Sequence, residues 1–107
     1  MTQIKVEILL PLYYNDNREI EDKKFEETLD EIKKQFGGLT IGDRPLLGYW
    51  IDQDKGISYD NEKNTLYWIL CEKTNKNIQF FRKLKERLQG LFRQESILIY
   101  YVNVYRF

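Results

Sequence analysis

An α+β sandwich, one antiparallel sheet with two helices on one face, follows from three features of this sequence. Residues 3–13 alternate, with Ile4, Val6, Ile8, Leu10 and Leu12 on one side and Lys5, Glu7 and Leu9 on the other. That period of two marks a strand. Residues 21–36 and 75–93 instead repeat apolar groups every three or four positions, the helical period. The closing Ser96–Phe107 (SILIYYVNVYRF) returns to period two, with large apolar or aromatic groups on both faces.

Taken in order, the first strand ends at a turn signalled by Asn15-Asp16-Asn17. In the first helix Phe25, Leu29, Ile32 and Phe36 form one stripe. Glu21 and Asp22 sit at its positive end and Lys33 and Lys34 at its negative end, as the helix dipole favours. Gly37-Gly38 supplies the stop, since glycine takes the left-handed capping conformation without steric cost. The middle is strand-like but broken. Leu39–Ile41 begins a strand, Gly42–Pro45 interrupts it, and Leu46–Ile51 resumes it. Asp52–Gly56 turns, Ile57–Tyr59 is a short strand, and Asn61–Asn64 predicts another turn. Thr65–Cys71 (TLYWILC) reads as a central apolar strand.

In the second helix Ile78, Phe81, Leu84 or Lys85, Leu88 and Phe92 track one face, and Thr74 or Asn75 caps the start. Gly90 costs about 1 kcal/mol relative to alanine, which predicts a loose end. The order is β-α-β-β-α-β with an extra hairpin near 46–59, the layout of a ferredoxin-like sandwich spanning residues 1–107 as a single domain. Right-handed crossovers place the first and third strands centrally and the last strand at an edge beside the first.

The last strand then poses a problem. Leu98, Tyr100, Val102 and Val104 share one face; Ile97, Ile99, Tyr101, Tyr105 and Phe107 share the other. Helices on one side of a sheet bury only one of these faces, and an apolar edge is a pairing liability unless it is covered. The expected cover is a second copy of the chain. Trp68, Tyr100, Tyr101, Tyr105 and Phe107 are the expected interface residues.

The segments PLYYND, FGGLT, LGYWID and QESILIYYVNVY resemble a family of short uncharacterised prokaryotic proteins, over almost the whole chain. That resemblance implies the domain limits and carries no catalytic residue, because the shared motifs are landmarks of a fold.

Composition narrows the function classes. Formal net charge is zero, yet residues 1–60 carry 8 basic and 13 acidic side chains and residues 61–107 carry 9 and 4. The two parts attract each other within one fold, and a neutral total exerts no strong pull on a polyanion. Cys71, the single cysteine, forms no disulfide within the chain and suits a reducing, cytoplasmic setting. Its place in an apolar strand makes it a buried, inert thiol. Glu7 interrupts and Pro11 closes the first apolar run, so no signal-peptide core forms there. No stretch approaches the ~20 apolar residues of a membrane helix.

Histidine is absent, which removes the commonest general base near neutral pH and the commonest transition-metal ligand. Asp52, Asp54, Asp60 and Glu62 form the densest carboxylate group. Their spacing fails the calcium-loop pattern, with Gly56 one place early and Lys63 where a bidentate glutamate belongs. They read as solvated turn residues. No catalytic, metal or cofactor set emerges.

The prevailing reading is a non-enzymatic, homodimeric protein-interaction module that uses its open sheet face or its C-terminal edge strand. Two alternatives stand beside it. One is a nucleic-acid-binding module that contacts phosphate through Arg82, Lys83 and Arg87 of the second helix, or stacks bases on sheet aromatics. The other is a ligand-binding or enzymatic dimer with a pocket lined by Tyr49, Trp50 and Tyr67.

Overall fold

A computed structural model describes residues 2–42 and 45–107, the side chains of Asp60 and Asn61 apart. The elements run β1 (Gln3–Pro11), α1 (Asp22–Phe36), β2 (Thr40–Ile41), β3 (Leu46–Asp52), β4 (Ile57–Glu72), α2 (Asn75–Leu91) and β5 (Leu98–Val104). This is an α+β fold with two helices and an antiparallel sheet. It departs from the simple βαββαβ order: the extra hairpin expected near 46–59 is present, but its second strand runs on without a break as β4, and β2 and β3 are separate elements. Both pair antiparallel with β4.

β1 lies between β4 and β5, so the last strand takes the expected edge beside the first. Strand register sorts every side chain to a face, because directly opposed residues point the same way. Ile4, Val6, Ile8 and Leu10 of β1 are buried, and they sit opposite Cys71, Ile69, Tyr67 and Thr65 of β4. On the β5 side Ile8 meets Ile99 and Val6 meets Tyr101. Ile32 of α1 and Phe81, Leu84, Leu88 and Phe92 of and just beyond α2 complete the same core. The inward face of the last strand is therefore the Ile97–Ile99 face, with Ile97 2% exposed.

The helices form as their stripes dictate. Gly37, at φ 81°, caps α1 and donates its N–H to the Lys33 carbonyl at 2.7 Å. The Thr74 hydroxyl caps α2 by accepting from the Asn77 N–H at 3.1 Å. α2 ends one residue past Gly90, and Arg93 then turns the chain at φ 54°. Rings join the two helices. Phe36 stacks on Phe81 at 5.2 Å, and Phe25 meets Phe92 edge-on at 5.1 Å.

One expected turn is corrected. Asn61–Asn64 does not break the chain, because β4 runs unbroken for 16 residues. Tertiary pairing outweighs the turn chemistry of these residues. Glu62, Lys63 and Asn64 pair with Gly48, Leu47 and Leu46 on one side, while Pro11 pairs with Asn64 and the Leu12 N–H reaches the Lys63 carbonyl on the other. The Asn64 amide is satisfied by the Glu62 carbonyl at 3.0 Å. β3 and the first half of β4 thus make a two-stranded arm beyond the end of β1. The expected interruption at Gly42–Pro45 includes Asp43 and Arg44, which lie outside the described residues. No described helix is long and apolar enough to cross a membrane.

Candidate functional site

Two surfaces stand out, the uncovered face of the sheet and a cleft at the root of the arm. On the uncovered face the register lines up cross-strand rows. Leu98, Leu9 and Leu66 form one row across β5, β1 and β4. Tyr100, Glu7 and Trp68 form the next, and Thr40 of β2 extends it. Val102, Lys5 and Leu70 form the third. Leu70, Leu98, Tyr100 and Val102 are 40–55% exposed.

The polar residues at the centre of this face satisfy one another. Glu7 accepts the Tyr100 hydroxyl and pairs with the Lys5 ammonium at 3.0 Å. Lys5 in turn lies 4.8 Å from the centre of the Trp68 ring, a cation–π contact. The row of charge inside an apolar field is thus neutral and internally paired.

The cleft lies between the β1–α1 turn and the arm, with a volume of about 440 Å³. Tyr13 and Tyr14 line one side and Tyr59, Glu62 and Lys63 the other, with Gln94 also on its wall. Tyr14 is 5% exposed and caged by cations. Lys24, Arg93 and Arg18 lie 4.8, 4.9 and 5.6 Å from its ring centre. Its hydroxyl donates to Glu21 and accepts from Lys24. That hydrogen bond, with help from Lys24, holds the Glu21 carboxyl down at about 2. The same hydroxyl and Glu21 push the Lys24 ammonium above its usual value. Across the cleft, the Glu62 carboxylate accepts the Trp50 indole N–H at 2.9 Å, and Trp50 stacks on Tyr59 at 4.2 Å.

The expected interface residues separate into three places. Trp68 and Tyr100 share the uncovered face. Tyr101 falls on the helix side of the edge strand, where Lys73 lies 5.5 Å from its ring. Tyr105 and Phe107 lie past the end of β5 and are fully open. The expected pocket residues are not brought together. Tyr67 is 3% exposed beneath the helices, Trp50 is stacked on Tyr59, and Tyr49 is exposed on the arm. Burial pushes the Tyr67 phenol up to about 12.

Arg82 and Lys83 are exposed on α2, on the opposite side of the sheet from the uncovered aromatics. Arg87 makes an ion pair with Glu31 of α1. Among the acidic group, Asp52 accepts from the N–H groups of Asp54 and Lys55, both at 3.0 Å, and so closes its own turn. The side chain of Asp60 lies outside the described ones. Cys71 is buried, which raises its thiol, with Glu72 adding to the rise.

The cleft residues were not legible as a group in the sequence. Tyr13 and Tyr14 lie more than forty positions from Tyr59 and Lys63. The tyrosine pair before the Asn15–Asn17 turn was the one available signal, and the unbroken β4 is what brings the far side near. Compared with protein-family models and with curated proteins, the chain matches none.

Proposed function

We propose that this protein is a homodimeric interaction module in which the uncovered sheet face and arm of each copy cover those of the other. The carrying observation is exposed apolar surface that none of the described residues covers. Ten large apolar or aromatic side chains of the face and arm stand 40–61% open among the described residues. Together they offer on the order of 1,000 Å² per chain, against ~800 Å² per partner in a standard stable interface. Four of them, Leu70, Leu98, Tyr100 and Val102, share the one sheet face, and large exposed apolar patches mark interaction sites.

Two further observations favour a second copy as the occupant. At the centre of the face Glu7 and Lys5 are paired with each other, so apolar rows rather than lone charges would meet there. The arm is a two-stranded ribbon carrying Leu46, Leu47, Trp50 and Ile51 in exposed positions. Such a ribbon is marginal in water without something to pack on. Within this proposal β2 and β3 act as one interrupted strand, which makes the layout ferredoxin-like, in keeping with the family resemblance of the sequence.

The test is Val102→Asp on the face, with Lys83→Glu on α2 as the control. Light scattering should give a monomer for the first variant and a dimer for the second. A Val102→Asp protein that stays dimeric, with wild-type circular dichroism, would contradict this use of the face.

A further inference from the structure

We propose that the cleft at the root of the arm is a nucleotide site, taking the base against its tyrosines and the phosphate on Lys63 and Arg93. The proposal does not rest on the dimer.

The first support is the disposition of charge. Around Tyr14, Arg18 is neutralised by Asp16 at 2.7 Å and Lys24 by Glu21 at 3.4 Å. Arg93 and Lys63 have no carboxylate partner within ion-pair distance among the described residues. Arg93 lies over the Tyr14 ring, and Lys63 lies 6.0 Å from the centre of the Tyr13 ring. Lys63 is on the cleft wall, and Arg93 lies over the ring of Tyr14, which borders it; this suits an anion, and the guanidinium fork of arginine matches phosphate oxygens in particular.

The second support is the lining. Tyr13 and Tyr59 line the cleft, and Tyr59 is stacked against Trp50. Aromatic faces stack on any base. Asn15, Asn17 and Ser58 add amide and hydroxyl groups suited to a sugar. Among the described residues, Glu62 is the one carboxylate on the wall. It is engaged by the Trp50 indole, and its acceptor capacity suits an exocyclic amine of a base. The volume of about 440 Å³ falls within the range of small-ligand sites.

The third support is preorganisation. Arg93 is held at φ 54°, a conformation uncommon for a residue with a side chain. Gln94 follows it and is pinned by its own amide to the Phe92 carbonyl at 3.0 Å. The Tyr14 floor is anchored through its hydroxyl to Glu21 and Lys24. The turn that ends α2 thus sets Arg93 next to Gln94 of the cleft wall.

Calorimetric titration of the full chain with the four nucleoside 5′-monophosphates tests this. Matched nucleosides and inorganic phosphate serve as comparison ligands. At least one monophosphate should bind, with its nucleoside and inorganic phosphate each weaker by roughly tenfold or more. Lys63→Glu, Arg93→Glu and Tyr13→Ala should each weaken the monophosphate by a similar factor, with circular dichroism unchanged. A 5′-phosphorylated dinucleotide separates the two sources of this chemistry. Equal binding points to the end of a single strand, and weaker binding to a free nucleotide. No binding at millimolar concentrations, or inorganic phosphate or nucleoside binding as tightly as the nucleotide, would overturn the proposal. So would full affinity in the folded Lys63→Glu and Arg93→Glu proteins.

Discussion

The Tyr100 hydroxyl donates to the Glu7 carboxylate across the β1–β5 pair, at the centre of the uncovered sheet face. The two residues stand directly opposite in register. Lys5 takes the other carboxylate oxygen, so an acid in an apolar field is fully engaged. This ties the edge strand to the central strand through side chains as well as backbone. Tyr100→Phe removes the donor and keeps the ring. Hydrogen bonds to charged groups contribute roughly 1.5–3 kcal/mol, and partial exposure brings the expected loss to about 1–2 kcal/mol. Urea unfolding with an unchanged m-value checks it. Unaltered stability would mean that the bond is not made in solution.

Tyr67 makes the fold sensitive to alkali. Burial raises its phenol from 10.0 to about 12, so the folded protein holds that proton more tightly than the unfolded chain does. Its contribution is fully present below pH 10 and is lost as pH rises through 12. Thermal melts should therefore show stability falling between pH 10 and 12. Tyr67→Phe should flatten that decline, since nothing at the position remains to ionise. An equally steep decline in the variant would place the alkaline transition elsewhere.

Glu21 works at the opposite limit. Its carboxyl is held at about 2, against an ordinary 4.5, chiefly by the Tyr14 hydroxyl. A depressed carboxyl contributes stability that is present above pH 4.5 and lost as pH falls toward 2. Tyr14→Phe should return the carboxyl toward its ordinary range and weaken the acid dependence, as read by NMR titration of the Glu21 side chain. A carboxyl that still titrates near 2 in the variant would assign the effect to Lys24 and the local backbone.

The parts of this fold that were legible in the sequence are those whose period matched their burial. Ile4 to Leu10 alternate because one face of β1 meets the core and the other does not, and the helical stripes at Ile32 and Leu84 point at the same core. The Asn61–Asn64 stretch was misleading because its turn-forming residues are held extended by partners on both sides, Leu46–Gly48 and the end of β1. Local propensity of that kind yields to pairing that joins distant parts of the chain. The proposed interface was half legible. Alternation put Tyr100 and Tyr101 on opposite faces, but which face lay inside depended on the β1–β5 register. The proposed pocket of Tyr49, Trp50 and Tyr67 shared only aromatic character; Tyr67 points into the core while Trp50 packs within the arm.

The central claim is that two copies cover each other's open face, and the mass of the wild-type protein in solution tests it most directly. Sedimentation velocity or light scattering at micromolar concentration should give twice the chain mass of 13.1 kDa. A single species at 13.1 kDa up to tens of micromolar, in a range where stable interfaces of standard size are formed, would contradict the account.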